Sequence, residues 1–345
     1  MRFFVTGGAG FIGSNYVHHL LATDPDAEVT NFDKLTYAGN PASIADLRAD
    51  PRHRFVRGDI CDGALLAEVL PGHDVVVNFA AETHVDRSIV EPLEAIRANT
   101  LGVATLAEAA RHAKVGRFLQ VGTDEEYGTI AEGSFSEDDP LQPSSPYSAG
   151  KAGGTLIALA YATTHKLDVV VTRCTNNYGP YQLPEKVIPL FVTNLLDGGK
   201  VPLYGSGGNI RDWLYVRDHC AAIDLVLRRG ATAQTYNIGA GNEISNLDLT
   251  RRILAAFGAG DEMIEYVADR PGHDWRYSLD ASRVRELGWE PAHDFESGLA
   301  ETIAWYRANQ AWWRPLKPHG ASRTLEHGRA VRRDEATGTI HPAGA

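Results

Sequence analysis

A glycine-rich turn near the N-terminus constrains the fold of this chain more than any other feature. Residues 7–13 read Gly-Gly-Ala-Gly-Phe-Ile-Gly, between an apolar segment at Arg2–Thr6 and a helical pattern at Ser14–Leu21. Glycines at this spacing let the backbone pass sharply from a strand into a helix and bring a pyrophosphate close to the positively polarised helix N-terminus. The turn therefore predicts a dinucleotide-binding site at the first crossover of an α/β sheet.

Asp33 indicates which dinucleotide to expect. It lies 20 residues beyond Gly13, at the end of the second predicted strand, where an acidic side chain can hydrogen-bond the ribose diol of NAD. Its charge would repel the 2′-phosphate of NADP, so the sequence predicts NAD as the cofactor. Asp59 and Ile60 follow the third predicted strand, and they either flank the adenine ring or form an ordinary turn.

Short apolar segments alternate with helical patterns through the first half of the chain. This alternation predicts an α/β fold with a doubly wound parallel sheet that is covered by helices on both faces. The predicted strands are Arg2–Thr6, Glu28–Phe32, Arg54–Arg57, Asp74–Phe79, Arg117–Val121 and Val169–Arg173.

The composition of the sequence changes after about Tyr178, where glycine and proline become frequent. We therefore expect a cofactor-binding domain at 1–180 and a smaller substrate-binding domain at 181–317, with 211–240 returning to the first domain. The polar segment 318–345 lacks periodicity, so we expect a poorly ordered tail.

Composition narrows the class of function. The chain has 345 residues, 43% of them hydrophobic, and a formal net charge of −11, so a nucleic acid is not an expected partner. No apolar run reaches the ~18 residues that a membrane span needs. Cys61, Cys174 and Cys220 match no zinc spacing, and we expect no metal site. The N-terminus lacks a secretory signal pattern, so we expect a cytoplasmic protein.

Tyr147 and Lys151 form a candidate acid–base pair. Ser144 or Ser145 can cap a helix that begins near Pro146, and residues four apart share one helix face. The lysine ammonium and the positive nicotinamide ring are expected to lower the pKa of the phenol. Tyr147 would then take a hydroxyl proton while a hydride leaves the substrate.

Together the glycine turn and the Tyr-x-x-x-Lys pair resemble the extended short-chain dehydrogenase/reductase family. The resemblance implies a Rossmann fold and a catalytic triad of Thr123, Tyr147 and Lys151. In it, Thr123 hydrogen-bonds the reacting oxygen and Lys151 also holds the nicotinamide ribose. Family members are usually homodimers that pack through the helix carrying Tyr147 and the preceding segment Ala95–Arg111, so a homodimer is expected here.

Two adjacent acids, Asp124 and Glu125, indicate which members of this family the chain resembles. Removing water from a sugar needs a base for a carbon-bound proton and an acid for the departing hydroxyl. Two carboxyl groups in one dry pocket titrate apart, which leaves one neutral and one charged. The Thr-Asp-Glu segment resembles that of the nucleotide-sugar dehydratases that act on dTDP-glucose. The resemblance implies oxidation at carbon 4, elimination across carbons 5 and 6, and re-reduction at carbon 6.

Further blocks resemble the same enzymes, at 80–88, 173–186, 211–216 and 269–274. The expected cofactor-binding residues are Gly7, Gly10, Phe11, Ile12, Gly13, Asp33, Lys34, Leu35, Thr36, Asp59, Ile60, Phe79, Ala80, Ala81, Tyr147, Lys151 and Asn177. The expected substrate-binding residues are Thr83, His84, Thr123, Asn176, Glu185, Lys186, Val187, Pro202, Tyr204, Arg211, Asn246, Arg270 and His273.

Three residues depart from the pattern of these enzymes. Gly122 stands where serine is usual, Glu126 where valine is usual, and Ala98 where threonine is common. We expect Glu126 to add a third acid to the site, and the glycines at 150, 153 and 154 to loosen the helix after Tyr147.

Two other functions fit parts of this sequence. A nucleotide-sugar 4-epimerase shares the fold, NAD, Tyr147 and Lys151 but does not need the pair Asp124 and Glu125. A non-catalytic NAD-sensing scaffold would need only the glycines. The physics of the sequence does not separate thymine from uracil in the nucleotide, because the two bases differ by one methyl group.

Overall fold

The computed structural model describes residues 1–269 and 274–317, with the backbone alone at Asp86 and in three short strands beyond 317. Arg270 and His273, two of the expected substrate contacts, lie outside the described residues. So does most of the predicted tail.

A seven-stranded sheet forms the centre of the molecule. Its strand order is β3-β2-β1-β4-β5-β6-β10, and every neighbouring pair is parallel. The predicted doubly wound parallel sheet is therefore confirmed. The strands are β1 Arg2–Thr6, β2 Glu28–Asp33, β3 His53–Arg57, β4 Val75–Asn78, β5 Arg117–Thr123, β6 Val169–Cys174, β7 Asn176–Tyr178, β8 Val201–Tyr204, β9 Ile210–Tyr215, β10 Thr235–Ile238, β11 Glu243–Ser245, β12 Ile264–Val267, β13 Leu325–Glu326, β14 Arg329–Arg333 and β15 Ile340–Pro342.

Helices cover both faces of this sheet. Because side chains alternate along a strand, Phe3 and Val5 of β1 enter the core on one face and Phe4 enters the core on the other. The helices are α1 Phe11–Thr23, α2 Gly63–Val69, α3 Val85–Val90, α4 Pro92–Ile96, α5 Gly102–His112, α6 Pro146–His165, α7 Val187–Leu196, α8 Val216–Arg229, α9 Asn246–Ala256, α10 Ser282–Glu286, α11 Phe295–Ala308 and α12 Gln310–Trp313.

A second apolar core lies in a smaller lobe, built around α7, α9 and α11 and including Phe191, Trp213 and Tyr306. Two small sheets belong to this lobe, β11-β9-β7 and β12-β8. Between β9 and β11 the chain returns to the main sheet, where Ile238 of β10 pairs with Cys174 of β6.

The glycines of α6 have a packing role. A Cβ at Gly150 would lie 3.3 Å from the Ala95 carbonyl oxygen, and one at Gly153 would lie 3.0 Å from the Thr100 hydroxyl. The expectation that these glycines only loosen the helix is therefore incomplete. They let α6 approach α4 and the π-helical turn at Arg97–Leu101 closely.

Within the described residues, no helix is both long and apolar enough to cross a bilayer.

Candidate active site

A cavity of about 370 Å³ lies at the carboxyl edge of the main sheet. Its wall includes residues from the ends of β1, β2, β4, β5 and β6 and from the first turns of α1 and α6. Ligands bind at this edge in doubly wound folds because the strand order reverses there and leaves a crevice. The volume lies in the range of small-molecule sites.

The glycine turn forms one end of the cavity. Gly7 has a φ of +69°, and a Cβ there would lie 2.7 Å from the backbone nitrogen of Ala80, so only glycine fits. The N-cap of α1 is Gly10, which offers no side chain to bond the first-turn amides. Because such amides carry the positive end of the helix dipole, this end of the cavity fits the pyrophosphate of a dinucleotide.

Asp33 is held in a defined position on the wall of the cavity. Its Oδ2 accepts a hydrogen bond from the Ala9 amide at 2.9 Å, and its Oδ1 accepts one from the Leu35 amide at 2.7 Å. Burial raises the pKa of Asp33, and these two amides oppose that effect. The carboxyl group is thus oriented for a ribose diol, as the sequence predicts.

A salt bridge lies on the wall of the cavity. The Lys34 ammonium lies 2.9 Å from Oδ2 of Asp59. Of the expected cofactor residues, Leu35 does not line the cavity and packs against the core instead. The others all line it: Gly7, Gly10, Phe11, Ile12, Gly13, Asp33, Lys34, Thr36, Asp59, Ile60, Phe79, Ala80, Ala81, Tyr147, Lys151 and Asn177.

The five expected catalytic residues meet at the other end of the cavity, where Thr123, Asp124, Glu125, Tyr147 and Lys151 all line its wall. The strand β5 ends at Thr123, and a 3₁₀ turn at Asp124–Glu126 follows it. Ser145 caps α6 through the amide of Ser148, which places Tyr147 in the first helical turn. A strand end and a helix start therefore bring the two motifs together.

Asp124 is 4% exposed, and its carboxyl group lies inside the site. Burial, and next the charge of Glu125, raise its pKa to about 8. The Thr123 hydroxyl donates to Oδ1 at 3.0 Å, whereas Oδ2 has no hydrogen-bond partner among the described residues. Asp124 is therefore mostly protonated at neutral pH, and its second oxygen is a buried acceptor without a bond to any described residue.

The protein's own groups shift the pKa of Tyr147 upward, opposite to the effect that we expect from Lys151 and the nicotinamide ring together. Burial, followed by the nearby Glu125 carboxylate, raises it well above the usual value. Lys151 is not among the main causes of this shift. Its ammonium donates to the Val121 carbonyl at 2.6 Å, and burial lowers the lysine's own pKa. Among the protein's own groups, the site favours a neutral phenol.

Glu126 is not a third acid of the cavity, contrary to the sequence-based expectation. Its side chain is fully buried behind the wall, and its Oε2 lies 2.8 Å from Nε of Arg173 in an ion pair. The pairing accounts for the burial, because an unpaired carboxylate there would be costly. Of the three adjacent acids 124–126, only Asp124 and Glu125 line the cavity.

The expected substrate residues divide into two groups. Thr83, Thr123, Asn176 and Lys186 line the cavity, and Lys186 brings a cation to it. The structure does not place the others on this cavity wall: His84, Glu185, Val187, Pro202, Tyr204, Arg211 and Asn246.

Arg211 shows why this second group differs. Its guanidinium donates to the backbone oxygen of Asp274 at 2.9 Å and lies 4.5 Å from the ring centroid of Tyr277. Likewise, His84 lies 3.9 Å from Glu185, beside the cavity and not on its wall. These residues belong to the second lobe or to the loop that faces it.

Sequence reasoning missed several residues of the site. His219 is fully buried, and its Nδ1 lies 2.9 Å from Oδ1 of Asn177, so it orients that side chain. Gln182 lines the cavity and donates to the Asn177 backbone oxygen at 2.9 Å. Gln182 stands inside the block at 173–186, whereas no local pattern marks His219.

Comparisons with known proteins show which family this chain belongs to. A family model described as GDP-mannose 4,6 dehydratase matches residues 4–302. The dTDP-glucose 4,6-dehydratase of Streptomyces niveus is 54% identical over the whole of both chains. That of an Actinoplanes species is 55% identical, over 91% of this chain and all of the relative.

A solved structure is similar over nearly the same range. The dTDP-glucose 4,6-dehydratase DesIV from Streptomyces venezuelae, solved with NAD and dTDP bound, has a TM-score of 0.90 and 55% identity. The match covers 92% of this chain and all of that one.

Proposed function

The chain belongs to the GDP-mannose 4,6 dehydratase family, and from that premise we propose that it is an NAD-dependent dTDP-glucose 4,6-dehydratase. Relatives that are about 54% identical carry out this reaction. The product is dTDP-4-keto-6-deoxyglucose, formed with the loss of one water. The enzyme is thus a lyase that returns its cofactor to the starting state.

The observation that supports this most directly is the pairing of Asp124 and Glu125 inside the cavity that Tyr147 lines. A 4-epimerase needs a group for the 4-hydroxyl but no acid for the 6-hydroxyl. The raised pKa of Asp124 supplies that acid. A scaffold that only sensed NAD would need neither carboxyl group in the wall of the site.

The residues of the cavity fit NAD. The glycine turn and the uncapped start of α1 would hold the pyrophosphate, Asp33 the ribose of the adenosine, and Lys151 the other ribose. When bound, NAD accepts the hydride of carbon 4 and donates it to carbon 6. Cofactor chemistry of this kind requires water to be excluded, and a site between the sheet edge and a second lobe provides that exclusion.

The protein's own groups then move the protons. Tyr147 would take the proton of the 4-hydroxyl as a phenolate, the form that the positive nicotinamide ring of bound NAD would favour. The Thr123 hydroxyl would turn from Asp124 to donate to the reacting oxygen. The new ketone makes the proton on carbon 5 acidic, and Glu125 removes it. Asp124 protonates the departing 6-hydroxyl, so that water leaves. Glu125 returns its proton to carbon 5, and the proton that Tyr147 has taken balances the one that Asp124 has given.

Lys186 and Asn176 are the groups that we propose for the diphosphate and sugar, because both lie on the cavity wall. A lysine ammonium is a suitable point charge for a diphosphate. We expect thymine and not uracil as the base, because the relatives are dTDP-glucose 4,6-dehydratases. A competition assay with dTDP-glucose, UDP-glucose and GDP-mannose measures this preference directly.

We expect the purified protein to convert dTDP-glucose with at most catalytic amounts of NAD. Mass spectrometry should show the loss of one water, and absorbance should show no net NADH, because the hydride returns to the same sugar. A product of unchanged mass would instead indicate a 4-epimerase. Steady accumulation of NADH would indicate a simple dehydrogenase, and either outcome would reject the proposed reaction.

We propose a homodimer that packs through α4, the adjacent π-helical turn and α6. Four large apolar side chains of this surface are exposed to solvent, with exposed fractions of 76% for Leu93, 56% for Leu156, 54% for Leu101 and 45% for Ile96. Exposed apolar groups gathered on one face are typical of association sites. The same helices carry or support Tyr147, so the interface would also stabilise the start of α6.

Leu93→Glu is expected to shift the protein to a monomer, because the dimer would bury a charge at the centre of its apolar contact. Sedimentation velocity measures the change. Tyr266→Glu is the matched control, because Tyr266 is 59% exposed on β12 of the second lobe. A wild-type protein that sediments as a monomer, or equal effects of the two variants, would contradict this interface.

The division into a cofactor-binding domain at 1–180, joined by 211–240, and a substrate-binding domain at 181–317 remains part of this proposal. The two apolar cores support it. We also propose a reducing, cytoplasmic location, which is consistent with free thiols at Cys61, Cys174 and Cys220.

A further inference from the structure

Glu126 and Gly122 form one structural unit behind the catalytic residues. A Cβ at Gly122 would lie 2.6 Å from Oε1 of Glu126, which is closer than side-chain atoms approach. The carboxylate therefore occupies space that a larger residue at 122 would need. Gly122 and Glu126, two departures from the usual pattern of these enzymes, therefore depend on each other in the structure.

The carboxylate of Glu126 connects three elements. Its Oε1 accepts a hydrogen bond from the Thr123 amide at 3.2 Å and another from the Thr155 hydroxyl at 3.0 Å. Its Oε2 is paired with Arg173 on β6. A single buried group is therefore bonded to the end of β5, to the middle of α6 and to the neighbouring strand.

Arg173 is fixed on its other side as well. Its guanidinium donates to the Tyr127 hydroxyl at 2.7 Å, and that hydroxyl donates to Oδ1 of Asn237 on β10 at 2.9 Å. Arg173 is 3% exposed. Every charge in this network is thus compensated, and buried networks of this kind are rigid when all members are bonded.

The bonds of Glu126 lie next to both halves of the catalytic machinery. Thr123 directly precedes Asp124, and Thr155 lies one helical turn beyond Lys151 and two turns beyond Tyr147 on the same face of α6. We propose that Glu126 is a positioning residue, which holds the strand end carrying Asp124 and Glu125 against the helix carrying Tyr147 and Lys151. This inference rests on the proposed dehydratase function.

The charge of Glu126 also acts on Lys151. Burial lowers the pKa of this lysine, and Glu126 opposes that effect. Cys174 of β6 also faces the ammonium, and Tyr147 shares its helix. Removing the charge of Glu126 would therefore lower the pKa of Lys151 further, so that the lysine loses its proton at a lower pH.

Glu126→Gln removes the charge and keeps the shape. We expect kcat to fall about 10-fold with KM for dTDP-glucose changed less than about 2-fold, because the reacting groups lose their relative position while the substrate contacts remain. We also expect the alkaline limb of the kcat–pH profile to move to lower pH. Stopped-flow absorbance of enzyme-bound NADH and steady-state kinetics measure these effects.

Thr155→Val is the second variant, because the two side chains have nearly the same shape and the ion pair with Arg173 stays intact. It removes only the bond between Glu126 and α6. We expect kcat to fall several-fold with an unchanged pH profile. This variant decides the question if Glu126→Gln does not fold, since loss of a buried partner strongly destabilises.

Asp168→Asn is the matched control. It breaks an ion pair in which Nε of Arg117 lies 2.8 Å from Oδ2 of Asp168, at the opposite end of the same two strands. We expect lower stability with unchanged kcat, KM and pH profile. If Glu126→Gln and Thr155→Val match this control in all kinetic parameters, the positioning role is overturned. If the wild-type protein does not dehydrate dTDP-glucose, the proposed function fails instead.

Discussion

Tyr147→Phe is expected to lower kcat for dTDP-glucose dehydration by about 10³-fold, because general acid–base groups typically contribute 10²–10⁴-fold. Without the phenol hydroxyl, no group at this position takes the proton of the 4-hydroxyl, so oxidation stops before elimination. Single-turnover absorbance should show almost no enzyme-bound NADH. KM should change little, because the ring and its packing stay in place.

Tyr161→Phe provides the control for this prediction. Tyr161 lies on the same helix, near its C-terminal end, where its hydroxyl interacts with Glu108 and not with the cavity. We expect wild-type kinetics from it. If Tyr147→Phe still forms bound NADH at the wild-type rate, the proton acceptor has been assigned to the wrong residue.

Asp124→Asn is expected to slow elimination by about 10²-fold or more, with a smaller effect on oxidation. An asparagine has the shape of the acid but no proton to give to the 6-hydroxyl. Enzyme-bound NADH should therefore form and then persist, and the 4-keto sugar with its 6-hydroxyl should accumulate in single-turnover mass spectra. Equal slowing of the two steps would contradict the role of Asp124 as the acid.

The same substitution is expected to stabilise the protein at alkaline pH. The pKa of Asp124 is raised from 3.8 to about 8 in the folded state, so the unfolded chain loses this proton first as the pH rises. The folded state then becomes less favourable between these two values, because it keeps a proton or buries a charge. Asparagine avoids that cost.

We expect Asp124→Asn to raise the free energy of unfolding by about 5 kcal/mol at pH 8 and by about 1–2 kcal/mol at pH 5, since one pKa unit corresponds to ~1.4 kcal/mol. Urea denaturation at the two pH values measures this. A gain that is the same at both would show that packing, and not the titration of the carboxyl group, is responsible. Stability gained at the expense of activity is a common trade-off at functional sites.

The effect of the protein's own groups on the pKa of Tyr147 was not predictable from the sequence. A spacing of four residues correctly brings Tyr147 and Lys151 to one helix face, but the sign of a pKa shift depends on everything around the group. Burial and the charge of Glu125 dominate at Tyr147, and the lysine is engaged by the Val121 carbonyl. These contacts join residues that are more than 20 positions apart.

The expectation for Glu126 was wrong for a related reason, because a sequence motif does not state which way a side chain points. Glu126 turns behind the cavity because Arg173, 47 residues away, offers a buried charge partner. Arg211 stays a predicted substrate residue. Its guanidinium donates to the backbone oxygen of Asp274, and its charge acts on Asp124.

The sequence by itself determined the doubly wound sheet, the glycine turn at the start of α1, the acid at the end of β2 and the motifs that lie at the strand ends. These features follow from backbone conformation and from hydrophobic periodicity, which are local properties. Only the tertiary structure decided which carboxyl groups face the cavity, which are paired behind it, and which of them carries a proton. Burial and charge pairing decide these properties, and both arise from residues that are distant in the chain and become neighbours only when the sheet and its helices have assembled.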